Sequence, residues 1–279
     1  MIHINEISLD FEPRRKILPK LPANPLEPEM SEFESAFLCG TLKTFRPKKI
    51  LEVGVAGGAT TAIILQTLEE IGAPYEMHSV DVSEKYFKDD SLLSGFMAMF
   101  AKEKIFGSLR GTHEFHLGKV LAQVIDEIGG DIDFVILDTV HKLPGEVLDF
   151  IAVLPYLKAG SVIVMHDVRL HQINSDRYRE CFSNAALFSA VTAEKFLNFE
   201  EQALFRYPNI GAFKVSQQTV DHIDNVFLSL VLRWKYLPPE KEIVAYRRLY
   251  RRFYPAELCE IFQEAIDMNA YNFTLANRK

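Results

Sequence analysis

Five short apolar runs punctuate the chain between residues 49 and 166, and they restrict its fold more than any other feature. They are Lys49–Val53, Glu76–Asp81, about 113–117, Ile132–Asp138 and Ser161–His166. Stretches with helical spacing lie between them, at about 59–71, 91–106, 119–128 and 145–157, the last closed by Lys158-Ala159-Gly160. Runs such as Phe134-Val135-Ile136-Leu137 and Val162-Ile163-Val164-Met165 show no polar alternation. A strand without alternation is buried on both faces, which is the environment of a parallel sheet covered by helices. The short helical connections then impose right-handed crossovers.

The expected fold is therefore α/β: a doubly wound, Rossmann-like, mostly parallel seven-stranded sheet with helices on both faces. A helix at 176–190 and a final strand pair, around 191–197 and 210–215, complete it. The flanks read differently. Residues 1–30 hold Pro13, Pro19, Pro22, Pro25 and Pro28, a density that forbids regular helix and predicts an extended arm. Ser31-Glu32-Phe33-Glu34 is a capping box, followed by Phe33, Phe37, Leu38 and Leu42 at helical spacing and closed by Pro47. Residues 219–270 read as helices, with one apolar stripe through Ile223, Val226, Phe227, Leu230, Val231 and Trp234. Leu237-Pro238-Pro239 breaks that stripe, and a second runs through Tyr246, Leu249, Tyr250 and Phe253 to Pro255. The expected units are an arm (1–30), an α/β domain (31–217) and a C-terminal helical extension (218–279).

Composition narrows the class of partner. A net charge of −7 argues against a general grip on nucleic acid, while leaving room for a locally basic pocket. Cys39, Cys181 and Cys259 form no disulfide framework and no metal-ligand spacing, so they read as free, small apolar residues. The N-terminus lacks a signal-peptide layout, and no apolar run reaches the roughly 18 residues of a membrane span. A cytoplasmic location with no membrane partner is expected.

The chemistry is concentrated at the strand ends, where an open parallel sheet holds its ligands. Lys49–Thr60 reads KILEVGVAGGAT: a strand stops at Gly54, a small-residue turn follows, and a helix begins. No lysine is present for a phosphate loop, and Ala56 stands where a dinucleotide fingerprint needs its third glycine. A tight strand–helix connection is the bland alternative. Asp81 closes the second strand, placed to accept both hydroxyls of a ribose or, alternatively, to cap a turn with Ser83. Gly118 follows the third strand. Asp138 and Asp167 close the fourth and fifth; if those strands are neighbours, the carboxylates lie about 5 Å apart. Two such groups repel unless a cation, a proton or a basic residue separates them.

LEVGVAGGAT, SVDVS, FVILDTVH and LPYLKAGSVIVMHDV together resemble the class I S-adenosylmethionine-dependent methyltransferases, in particular the small-molecule O-methyltransferases. The resemblance implies that Glu52, Gly54, Val55, Ala56, Gly58, Asp81, Val82, Gly118 and Asp138 hold S-adenosylmethionine. It also implies Mg²⁺ held by Asp138 and Asp167. Related enzymes often have Asn or Asp at the next position, where this chain has Val168; Asn174 or water would have to complete the oxygen shell. The implied activity is O-methylation of a small-molecule acceptor such as a sugar or secondary metabolite, with or without a cation. His141 is the first choice of general base, with Asp138 and His166 beside it. His3, His78, His113, His116, His171 and His222 receive no role. Arg247, Arg248, Arg251 and Arg252 read as a solvated helix face, with a substrate lid or a homodimer contact as the alternative. An NAD-dependent oxidoreductase and a non-catalytic binding protein remain competing functions.

Overall fold

The computed structural model describes residues 4–22, 30–173, 175–199 and 208–276. Eight strands form one sheet in the order β1-β9-β10-β8-β7-β2-β3-β6. Its centre comprises β2 (Lys49–Val53), β3 (Glu76–Asp81), β6 (Thr112–Leu117), β7 (Ile132–Leu137) and β8 (Leu157–Met165). These five are mutually parallel, and the chain returns from β6 to the far side of β2 to lay down β7. The switch point of the sheet thus lies between β2 and β7, where a ligand crevice is expected. The final pair is β9 (Glu194–Leu197) and β10 (Gly211–Lys214), with β10 antiparallel to both β8 and β9.

The eighth strand, beyond the seven expected, is β1 (Ile4–Glu6), which pairs in parallel with β9 and lies inside the arm expected to be extended. That arm also contains a helix, α1 (Glu12–Ile17), against expectation. Its proline, Pro13, stands in the first turn, where the missing N–H has no partner to lose. The capping box opens α2 (Glu32–Phe45): Ser31 Oγ accepts from Glu34 N, and Glu34 Oε2 accepts from Ser31 N.

Helices α3 (Ala59–Ile71), α5 (Leu121–Ile128) and α6 (Gly145–Val153) connect the central strands. The stretch expected to be helical from 91 is a β-hairpin first: β4 (Lys85–Tyr86) pairs with β5 (Asp89–Leu93), and only then does α4 (Phe96–Ala101) begin, prolonged by a π-helical turn at 102–106. Asp89 explains the start, because its carboxylate accepts from Ser91 N and Oγ instead of initiating a helix. Similarly, 176–190 is helical only over α7 (Ser183–Ala190), and β8 takes Leu157 from the preceding helix.

The C-terminal helices are α8 (Gln217–Asp221), α9 (Ile223–Ser229), α10 (Glu240–Phe253) and α11 (Ala256–Ala276). The first stripe ends early: Val231 is exposed, whereas Trp234 is buried and donates Nε1–H to Leu230 O. From α10, Tyr246, Leu249 and Tyr250 join the same apolar core as Leu121, Val124 and Phe150 beside the sheet, while Phe253 is exposed. Arg248, Arg251 and Arg252 are solvated, and Arg252 forks onto Asp126 at 2.6 and 3.1 Å. Cys39 and Cys181 are free and buried, and Cys259 is free and partly buried. Among the described residues, no helix is long and apolar enough to cross a membrane.

Candidate active site

The turn after β2 passes so close to β7 that only glycine fits. Gly54 has φ +96°, and a Cβ there would lie 1.8 Å from the carbonyl oxygen of Asp138. Beyond the turn opens a cavity of about 420 Å³, within the range of small-molecule sites. Its walls include Gly54, Val55, Ala56, Asp81, Val82, Lys119, Asp138 and Thr139. The C-terminal extension closes the cavity with Tyr236, Pro238, Pro239, Glu242 and Tyr246. Tyr246 Oη donates to Asp149 Oδ1 at 2.6 Å, and burial pushes that carboxyl up to about 7.

Asp81 is both a cavity wall and a turn anchor. Its Oδ2 accepts from Val55 N and Ala56 N at 2.9 and 3.0 Å, and its Oδ1 accepts from Ser83 N at 2.8 Å. The turn-cap arrangement is therefore present, and it holds Ala56 at φ +49° in a region non-glycine residues rarely adopt. Three residues expected to bind cofactor stand outside the wall. Glu52 points down into the protein, 1% exposed, with Oε2 accepting from Thr61 and Ser79 hydroxyls at 2.8 and 2.6 Å. Burial drives its carboxyl up to about 8 against those bonds. Gly58 caps α3 with φ +83° and lies against the backbone of Gly95. Gly118 abuts the side chain of Glu84. These three stand behind the cavity wall, which Gly54 and Asp81 border directly.

Asp138 links the cavity to a buried cluster of charged groups. His166 Nδ1 lies 3.1 Å from Asp138 Oδ1 and 3.5 Å from Asp167 Oδ2; its Nε2 lies 3.3 Å from Glu34 Oε2. His141 Nε2 lies 3.3 Å from Asp167 Oδ2 and 3.9 Å from Asp138 Oδ1, and its Nδ1 3.5 Å from Glu146 Oε1. Asn209 Nδ2 donates to both Glu34 and Asp167, at 2.8 and 2.7 Å. Burial disfavours charge on His141, but Glu146, Asp138 and Asp167 outweigh it and raise the ring to about 9. His166 is likewise raised well above the ordinary value, against its own burial, by Asp138, Asp167 and Glu34. Asp138 is held below the usual carboxylate range despite burial, through His166 and His141; Asp167 is pushed above it by burial. His141 and Asp167 both have positive φ, 59° and 57°. Such strain concentrates where surrounding groups over-determine a site.

Asp138, His141 and Asp167 thus meet, as expected, and His166 joins them. Glu34, Glu146 and Asn209 were not anticipated. Glu34 was visible only as a capping residue, Glu146 only as a first-turn acid, and Asn209 had no sequence signal. One ligand atom each from Asp138, His141 and Asp167 lies within 4.8 Å of the others, as does one each from Glu34, His166 and Asp167, so the cluster offers two candidate cation holders, each with an imidazole; Asn174 lies outside the described residues.

Residues 51–168 match the family described as "Methyltransferase domain". Among solved structures, the chain is similar to the O-methyltransferase from Bacillus cereus in complex with SAH, with 18% identity, covering 74% of this chain and 92% of that one, TM-score 0.44. It is also similar to the O-methyltransferase TomG from Streptomyces achromogenes, involved in tomaymycin synthesis, in complex with SAM: 17% identity, 75% and 92% coverage, TM-score 0.45. No curated protein is matched. The glycine turn, Asp81, Asp138 and Asp167 thus all lie in residues 51–168, the part of the chain that matches a methyltransferase domain.

Proposed function

We propose that this chain transfers the methyl group of S-adenosylmethionine to a hydroxyl oxygen of a small-molecule acceptor. The observation that carries the reading is the position of Asp138. It is a wall of the glycine-turn cavity and, through Oδ1, a member of the buried cluster with His166 and His141.

S-adenosylmethionine held there would supply an electrophilic methyl carbon, its C–S electron pair going to sulfur as the C–O bond forms. Oxygen is the proposed nucleophile because a hydroxyl must lose a proton during transfer, and the cluster offers a place for it. His141 Nε2, between Asp167 and Asp138, receives that proton. Its high proton affinity means that the ring must first be neutral, which the surrounding carboxylates delay to about pH 9. The Gly54 turn and Asp81 would hold the donor, with Tyr236, Pro238, Pro239, Glu242 and Tyr246 lining the same cavity.

Mg²⁺ has no part in this reading. A hard cation takes a near-octahedral set of oxygens. Here the third donor is an imidazole, and the position after Asp167 is the buried, apolar Val168. The positive charge beside Asp138 and Asp167 comes from His166, and from His141 until that ring gives up its proton. Calorimetric titration with S-adenosylmethionine and S-adenosylhomocysteine, with NAD as control, tests the cofactor; a hydroxyl-bearing acceptor panel then tests transfer. A folded sample that binds neither sulfur ligand would sink the proposal.

A further inference from the structure

A second group of ligand-type side chains lies on the open edge of the sheet, away from the charged cluster. β6 is the edge strand and pairs in parallel with β3, so that His78 stands opposite Glu114 and Val80 opposite His116. Residues two apart on a strand share a face. His78, Glu114 and His116 therefore project from one face, while His113 and Ser79 belong to the other and bond each other at 2.9 Å.

The two rings face each other through nitrogen. His78 Nδ1 and His116 Nε2 are 3.1 Å apart. A tetrahedral Zn²⁺, with Zn–N of 2.0–2.1 Å, holds two nitrogens roughly 3.3 Å apart. The third donor, Glu114 Oε2, is 4.0 Å from His78 Nδ1 on a side chain 68% exposed, so it can swing inward without displacing anything buried. One ligand atom from each of the three lies within 4.8 Å of the others.

The far side of the His78 ring is also arranged as at a metal site. His78 Nε2 is 2.8 Å from Glu76 Oε1, which Lys49 Nζ holds in turn at 2.9 Å. A carboxylate on the far nitrogen fixes that nitrogen as the donor, turns the Nδ1 lone pair toward His116, and raises its basicity. A mixed set of two imidazoles and a carboxylate suits a borderline transition metal better than Mg²⁺ or Ca²⁺.

We propose that His78 Nδ1, His116 Nε2 and Glu114 Oε2 form a binding site for a divalent transition metal of the Zn²⁺ type, with Glu76 as its positioning carboxylate and water in the fourth place. The ion would tie edge strand β6 to β3 three residues before Asp81 and two before Gly118. The site is independent of the methyl-transfer reading.

Equilibrium dialysis of the full chain against Zn²⁺, and visible spectroscopy with Co²⁺ as a substitute, test it. The expected result is one equivalent held with micromolar or better affinity, and the intense visible absorption of four-coordinate Co²⁺. His116→Ala and Glu114→Ala, both at positions that are not fully buried, should abolish that equivalent while the far-ultraviolet circular dichroism stays unchanged. Glu76→Gln should weaken it about 10- to 100-fold, and Asp138→Asn should leave it in place. Absence of bound metal in the parent protein, binding that survives His116→Ala, or binding that Asp138→Asn removes would each overturn the proposal.

Discussion

His166 joins α2 to the end of β7: its Nδ1 lies 3.1 Å from Asp138 Oδ1 and its Nε2 3.3 Å from Glu34 Oε2. Burial alone would raise the Glu34 carboxyl, yet His166, with Ser31 and Asn209, brings it down to about 2. A charged ring between two ionised carboxylates is stable in a buried place only while all partners remain, because removing one strands a charge. The helix that the capping box starts is in this way fastened to the floor of the site.

Asp138→Asn tests the coupling of cavity and cluster. The amide keeps the size of the side chain but removes the charge that His166 and His141 face. Methyl transfer should fall by at least about 100-fold, with the circular dichroism spectrum retained. Turnover equal to the parent's would take Asp138 out of the mechanism.

Stability should be greatest on the acidic side of neutrality. Glu52 has a folded value near 8 against an ordinary 4.5, so the fold favours its protonated form; that contribution is complete below 4.5 and is lost as pH rises to about 8. Asp149, raised from 3.8 to about 7, acts in the same direction. His141, raised from 6.5 to about 9, contributes fully below 6.5 and is lost as pH approaches 9. Glu34 has the opposite sign: its contribution is present above 4.5 and lost as pH falls toward 2. Tm should therefore decline from pH 6.5 to 9, and Glu52→Gln should flatten the curve between 4.5 and 8. An unchanged slope in that variant would show that Glu52 does not titrate with folding.

The central strands were legible because uninterrupted apolar runs such as Phe134–Leu137 admit few other structures, and the strand-end acids followed from them. Glu34, Glu146 and Asn209 were not legible, because they reach the cluster from three separate elements that only tertiary packing brings together. The β4–β5 hairpin was missed because Ser91-Leu92-Leu93 also fits the helical periodicity that continues into α4. The role of Tyr236 and Tyr246 as cavity walls depends on where α10 docks, which an amphipathic stripe does not specify.

If His141 takes the acceptor's proton, the rate must follow its neutral fraction. kcat/KM should climb about tenfold per pH unit above 7 and level near 9. His141→Gln should be slower by about 100-fold and flat over the same range. A parent profile already flat from pH 7 to 9 would assign the proton to another group.

Metal-depleted protein should transfer methyl groups as fast with added Mg²⁺ as without it, within about twofold, since the His166 imidazolium already lies against both strand-end carboxylates. The comparison belongs in the His116→Ala background, which removes any ion at the sheet edge. A tenfold activation by Mg²⁺ there would restore a cation to the pair Asp138 and Asp167.

Gly54→Ala separates strain from collision. At φ +96° an alanine pays about 1–2 kcal/mol for the left-handed backbone. Its methyl group would also meet the Asp138 carbonyl, with oxygen at 1.8 Å and carbon at 2.6 Å, and neither can move without shifting the end of β7. Gly72 is the control: its φ is +76°, but nothing lies within 4 Å of a Cβ there, so Gly72→Ala pays for backbone strain alone. Both variants should lower Tm, by roughly 2–4 °C per kcal/mol for a domain of this size, and Gly54→Ala by the larger amount. Only Gly54→Ala should lose binding of S-adenosylhomocysteine in calorimetry, because only there does relief of the clash displace the turn and Asp138 together. Equal affinity in the two variants would mean that the turn after β2 does not hold the ligand.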